Sequence, residues 1–380
     1  MKNYIIISGL DLYDTNRGTA ALGYGSFSFL AEKGLLNNST KVLSFRYYLN
    51  FLNKEKRKTI IHKTNIQGRE IEFVDVAINL FERFLFFKFN FLLPFGKLKK
   101  TLKQVEYVAA INGGDGFSDI YNTHTFQYRL TETLYAMKMS IPVIILPQTI
   151  GPFSIQKNRE QADNILRYAR KVYVRDDKYV DELQQIGVKY EVTKDLSYYM
   201  KPEPIDYEIL PNAVGLNISG LAYSNEFRGL TGQFDNYKYL INLIIQKIQS
   251  LNIPLYLIPH SYNYSSYELN NDDMEASRLV YSQLKDKTNV HLIDRDLRSP
   301  QVKFCISQMS YFIGTRMHAN FAAIYSDVPL YGLAYSYKFE GAFKANGVYD
   351  NNISTINNIS KEECILIVEK IIEDYKKKHK

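Results

Sequence analysis

Short, continuous apolar runs alternate with helix-patterned stretches along almost the whole chain, and this rhythm constrains the fold more than any other feature. The first set of runs is YIIIS (4–8), KVLSF (41–45), VEYVAAI (105–111), PVIILP (142–147) and KVYV (171–174). Helical periodicity fills 18–33, 123–139, 157–169 and 176–186 between them. A second set follows: AVGLNI (213–218), PLYLIP (254–259), VHLID (290–294), YFIG (311–314) and PLYGLAY (329–335). Helical stretches at 235–250, 272–286, 299–308 and 316–325 separate these. Strands that are apolar on both faces and separated by helices form parallel sheets with helices on either side. The predicted class is α/β, with two Rossmann-like, doubly wound parallel-sheet domains facing a cleft.

The boundary between the two sets is visible. MKPEPIDYEILPNA (200–213) gathers three of the 11 prolines in a stretch with no clear period and reads as a linker. The predicted organisation is a first domain over 1–199, the linker, a second domain over 214–350, and an amphipathic helix over 360–380. That helix opens on a capping box from Ser360 to Glu363.

Composition removes several classes of function. A net charge of +7 on 380 residues is mild, and it suits anionic ligands or an anionic membrane surface as well as nucleic acid. With no compact Lys/Arg block and no zinc-finger spacing, no nucleic-acid partner is expected. Cys305 and Cys364 form no CxxC pair and no disulfide framework, which fits a reducing, cytoplasmic compartment. The N-terminal apolar run is too short for a signal peptide and reads as a first strand.

The segment INLFERFLFFKFNFLLPFGKLKKTLK (78–103) breaks the rhythm, setting seven phenylalanines among basic residues with Glu82 as the one nearby acid. Two readings stand: a buried helix followed by a solvated turn, or an aromatic, basic surface resting on anionic lipid at the inner face of the membrane. On the second reading, Phe86→Ser with Phe87→Ser should weaken liposome binding without unfolding the protein.

Ligands of doubly wound sheets bind beyond the carboxyl ends of the strands, so those ends hold the candidate chemistry. After 105–111 comes NGGDGFSD (112–119), where Gly113 and Gly114 allow close backbone approach and Asp115 and Asp119 bring carboxylates. An ordinary turn would carry the same Gly-Asp-Gly. LPQTIGPF (146–153) is stiffened by two prolines, which would hold Gln148 pointing across the cleft. Arg175 is either paired with Asp176 and Asp177 or aimed at an anion, and Asp195 occupies a similar position. In the second half, His260, the Arg316/His318 pair and Lys338 follow successive strands and would converge on an anionic site. NNDD (270–273) reads as a helix cap. No HExxH, HxxxH, GxSxG or P-loop pattern is present, so neither metal nor cofactor is expected.

In this order, NRGTAAL (16–22), NGGDGFSD, LPQTIGPF, VRDDKYVDEL (174–183), DLSYY (195–199), IPH (258–260) and GTRMHANFAAIYSDVPLYGLAYSYKF (314–339) resemble the polysaccharide pyruvyltransferase family. Two departures lie in the first half. Thr19 follows Gly18 where the family usually has an acid, and Asp115 replaces a third glycine; both bear on the acceptor. The resemblance implies a GT-B-like fold and transfer of an enolpyruvyl-derived group from phosphoenolpyruvate to a sugar, forming a pyruvate ketal. It places catalytic roles on Arg316, His318 and Arg175. Phosphoenolpyruvate would be the co-substrate and a sugar, free or lipid-linked, the acceptor. Lys338, His260, Gln148 and one of Asp115, Asp119 and Asp195 would complete the binding site. The rival classes are a nucleotide-sugar glycosyltransferase and a non-catalytic sugar-binding subunit.

Overall fold

The computed structural model describes residues 3–49, 55–176, 180–335, 343, 346 and 352–379. The chain separates into two compact domains, Met1–Leu10 with Leu22–Tyr199, and Asp11–Ala21 with Met200–Lys380. The short N-terminal segment 11–21 therefore groups with the second half of the chain.

The first domain is built on strands β1 (Tyr4–Ser8), β2 (Lys41–Tyr48), β3 (Ile60–Ile66), β4 (Arg69–Asn79), β5 (Val105–Ala110), β6 (Val143–Gln148), β7 (Lys171–Val174) and β8 (Glu191–Val192). Their order is β3-β4-β2-β1-β5-β6-β7-β8, and every neighbouring pair is parallel except β3 with β4. The parallel strands are the apolar runs, buried on one face through Ile6, Val108, Ile145 and Val172 and on the other through Ile7, Ala109, Ile144 and Tyr173. The order reverses between β1 and β5, which puts the 112–116 turn at the point where a crevice opens.

The antiparallel hairpin of β3 and β4 is absent from the predicted elements. Its two-residue turn, Gln67–Gly68, has φ of 55° and 81°, the left-handed pair that matches the twist of two joined strands. The helix that follows, Leu80–Phe89, is capped by Asn79, whose side chain accepts from the Phe81 amide at 2.8 Å. Phe86 is its buried residue, packed edge-on against Tyr135 with centroids 4.6 Å apart. Phe81, Phe84, Phe87 and Phe89 are exposed, which overturns the buried-helix reading.

The second domain carries β9 (Val214–Asn217), β10 (Leu255–Leu257), β11 (Val290–Leu292), β12 (Tyr311–Gly314), β13 (Leu330–Ala334) and β14 (Ile353–Thr355). The order is β11-β10-β9-β12-β13-β14, parallel throughout, which is the strand order of a Rossmann fold. Its reversal falls between β9 and β12, so the carboxyl ends of those strands flank the expected binding crevice. The stretch 200–213 is packed chain rather than a free tether: Ile205, Tyr207 and Ile209 lie against the apolar cluster, and the Glu203 amide donates to the Pro300 carbonyl. The C-terminal helix Lys361–Lys378 forms the predicted capping box and buries Cys364, Ile367, Val368, Ile371 and Ile372. Among the described residues no helix is long and apolar enough to cross a membrane.

Candidate active site

At the reversal point of the second domain, Asp273 holds the strand ends together. It is fully buried and accepts from the Gly220 amide at 2.8 Å, the Ser261 amide at 2.9 Å, and the His260 amide and Asn217 Nδ2 at 3.2 Å. Arg316 adds Nη2 at 2.7 Å and Nε at 3.0 Å. The rest of Arg316 is engaged too: Nη2 donates to both oxygens of Asn271 at 2.9 Å, and the backbone amide donates to Asn217 Oδ1. Arg316 is thus a buried, ion-paired residue that fixes the turn after β12.

That turn sets His318. Arg316 is the N-cap of the helix Met317–Ile324 and its side chain makes no capping hydrogen bond, so His318 stands on the first turn, at the positive end of that helix. The segment 14–18 runs along 260–262: the Tyr262 amide donates to the Thr15 carbonyl, and the Arg17 amide to the His260 carbonyl. This brings Gly18 against His318, where a Cβ would lie 2.6 Å from Nδ1 and 2.8 Å from the histidine Cβ. Glycine is required there because the imidazole fills the space of any side chain. Arg17 is stacked 4.3 Å over the Tyr262 ring and donates to the Leu297 carbonyl, so its charge is also engaged within the domain.

His260 is the companion histidine, 3% exposed, with no hydrogen-bond partner for Nδ1 among the described residues. Burial, then the positive charges of His318, Arg316 and Arg17, hold its pKa well below the ordinary 6.5. It is neutral at pH 7. The sign follows from proton counting: below pH 6.5 an unfolded histidine takes a proton that the folded one refuses. Stability linked to His260 is therefore complete above that pH and is lost as pH falls from it towards the depressed folded value. His260→Gln should flatten the acid side of the stability profile by up to about 1.4 kcal/mol per pH unit, read from urea unfolding. Equal slopes for the two proteins would rule out this linkage.

In the first domain, Asn112, Gly113 and Gly114 all have positive φ, turning the chain sharply at the end of β5. A Cβ on Gly114 would lie 3.1 Å from Nη1 of Arg175. Arg175 is paired to Asp195 at 2.8 Å, donates to Thr149 Oγ1 at 3.0 Å and lies 3.7 Å from Asp176. It sits among carboxylates, the paired one of the two placements expected for it. Asp195 is buried and also accepts from the Ser197 amide and hydroxyl. Asp119 accepts from the Ser154 and Ile155 amides and from Asn158, so it fixes the loop after β6. Gln148 is fully buried, bonded to Asn112 and to the carbonyls of Ala110 and Leu146; it locks the sheet end and does not point outward. Asp115 is the carboxylate at the edge of this turn, 2.9 Å from the Tyr121 hydroxyl and 3.9 Å from Arg129.

A family model described as Polysaccharide pyruvyl transferase matches residues 16–337, from the Gly18 segment through the chain just before Lys338. The chain belongs to the polysaccharide pyruvyl transferase family. It is 20% identical over 306 residues to the amylovoran biosynthesis protein AmsJ of Erwinia amylovora, across 76% of this chain and 71% of that one. Among solved structures it resembles the UDP-GlcNAc 2-epimerase of Neisseria meningitidis bound to UDP-GlcNAc, at a TM-score of 0.51 and 11% identity over 100% of this chain and 94% of the other. It also resembles the S. aureus MnaA–UDP structure, at 0.51 and 11% over 100% and 90%. At such identities these likenesses show the fold alone, which is that of the GT-B class.

The chain thus gathers Arg316, His318 and His260 at the strand ends of its second domain. It gathers Gly113, Gly114, Asp115, Arg175 and Asp195 at the corresponding strand ends of its first. Lys338 and Asp177 lie outside the described residues. Three contributors escape the sequence reading: Asp273, Gly18 as the wall of His318, and Arg129, whose guanidinium fills the space a Cβ on Gly116 would take.

Proposed function

We propose that the protein transfers the enolpyruvyl-derived group of phosphoenolpyruvate to two hydroxyls of a sugar in a polysaccharide precursor, releasing phosphate and leaving a pyruvate ketal. The observation that carries this is the place of an imidazole at the positive end of a helix: His318 stands on the first turn of Met317–Ile324, directly after the strand end that Asp273 and Arg316 hold. A trianionic donor needs both a proton source and hydrogen-bond donors with positive potential in one place.

In the proposed sequence, His318 gives a proton to the methylene carbon, and C2 becomes electrophilic. One sugar hydroxyl bonds to C2 and loses its proton. The second hydroxyl then bonds to C2 as the carbon–oxygen bond to phosphate breaks. Of the two hydroxyl protons, one restores His318 and the other leaves with phosphate, so the sum is balanced and draws on no cofactor. Neutral His260 cannot serve as the acid, which leaves that role to His318. Lys338 is assigned to the phosphate. Asp115 is assigned to the acceptor hydroxyls, because it is half-exposed at the edge of the 112–116 turn whereas Asp119 and Asp195 are buried.

The test is phosphate release from phosphoenolpyruvate with a panel of galactosyl and mannosyl acceptors, with the product checked for a ketal methyl signal by NMR. Release that depends on the acceptor, with that signal, is expected. Consumption of a nucleotide sugar in place of phosphoenolpyruvate would overturn the proposal in favour of glycosyl transfer. Binding of acceptor with turnover of neither donor would favour a non-catalytic subunit.

A further inference from the structure

The chain from the helix Leu80–Phe89 to the helix Lys97–Leu102 leaves Phe81, Phe84, Phe87, Phe89, Phe91 and Phe95 exposed, the last at 86%. Single exposed apolar side chains are ordinary, but a run of aromatic rings on adjoining turns is a patch that calls for a partner. The rings project from a helix and from the LLPFG turn after it, and so they are shaped to enter a soft medium.

The charges around them share one sign. Lys88, Lys97, Lys100 and Lys103 are exposed, and Lys88 reaches over the rings of Phe84 and Phe89 at 5.4 and 5.5 Å. Glu82, the acid of the segment, turns its carboxylate to the amides of Lys97 and Leu98 at 3.3 and 3.0 Å, where it caps the second helix. Beyond Lys97 the positive surface continues: its ammonium reaches the Arg57 carbonyl at 3.5 Å. Partial burial, then the charge of Arg46, pushes its pKa below the ordinary 10.5, an effect that Arg57 reinforces.

This charge pattern selects the occupant. A second copy of the chain related by a two-fold axis would set the patch against itself, like charge on like charge. An anionic bilayer meets both halves of the pattern, since aromatic rings settle at the headgroup level while lysine stems bend outward to lipid phosphates. We propose that this phenylalanine and lysine surface docks the protein on an anionic lipid bilayer. The inference stands whatever reaction the enzyme performs.

The experiment is co-sedimentation of the full chain with phosphatidylcholine vesicles and with vesicles mixing phosphatidylcholine and phosphatidylglycerol. Binding is expected on the mixed vesicles, falling as salt is raised. Lys100→Gln with Lys103→Gln should weaken it about fivefold per lysine. Phe84→Ser with Phe89→Ser and Phe95→Ser should abolish it. Phe86 is left intact because its ring packs on Tyr135, so Phe86→Ser would disturb the core. Matching thermal unfolding midpoints for wild type and variants confirm that the fold survives. No binding to the mixed vesicles, equal binding to neutral ones, or binding unchanged in both variants would overturn the proposal. So would a drop in oligomeric mass in the variants with vesicle binding intact, which would make the patch an interface between copies.

Discussion

Asp273→Asn should destabilise the second domain by about 3–5 kcal/mol, the loss expected when one partner of a buried ion pair is removed and the other keeps its charge. The carboxylate is fully buried and joins the ends of β9, β10 and β12 through Asn217, His260 and Arg316. An amide of the same shape keeps some of the hydrogen bonds but cannot balance the guanidinium. It also turns an NH2 toward donors that need an acceptor. Arg316→Gln should be harmful for the opposite reason, leaving the carboxylate unpaired. The double substitution removes both charges and should recover about 1–3 kcal/mol of the summed loss, as contacting residues do. The losses are read by calorimetry on the wild type, the two single variants and the double variant. Strictly additive losses would show that the pair is not coupled.

The sheet framework was legible because its signal is local. A strand buried on both faces is apolar along most of its length, and the runs at β1, β5, β6 and β12 are so in the sequence itself. The hairpin of β3 and β4 was harder to see, since its alternating REIEFVDVAIN and its Gln-Gly turn lie beside a denser aromatic segment. Side-chain roles that depend on tertiary partners were not legible. NNDD was correctly read as a cap: Asp272 accepts from the Met274 and Glu275 amides. Its neighbour Asp273 faces the other way, into the strand ends, and nothing local separates the two. Arg316 looked like a free anion clamp because its acid partner lies 43 positions away. Helical pattern alone could not settle the phenylalanine segment either. Burial there depends on whether a pocket exists, and Tyr135 provides one for Phe86.

His318→Asn should lower turnover by about 10²–10⁴, the range for losing a positioned general acid, while phosphoenolpyruvate still binds. Asparagine keeps a polar side chain on the first turn of the helix, so the loss should fall on kcat with little change in KM. His260→Gln is the contrast. A histidine held neutral by burial cannot supply the proton, and its replacement should reduce the rate far less than loss of His318. Gly18→Ala probes position alone. Its new methyl would meet His318 at both Nδ1 and Cβ, so the ring cannot escape by rotation and must move with its helix. A displacement of about 1 Å is enough for a roughly 10²-fold loss, here with every ionisable group retained. If Gly18→Ala and His318→Asn both cut kcat, the rate depends on where the imidazole stands as well as on its proton. If His318→Asn retains wild-type turnover, the proton must come from another group and the role assigned to His318 fails.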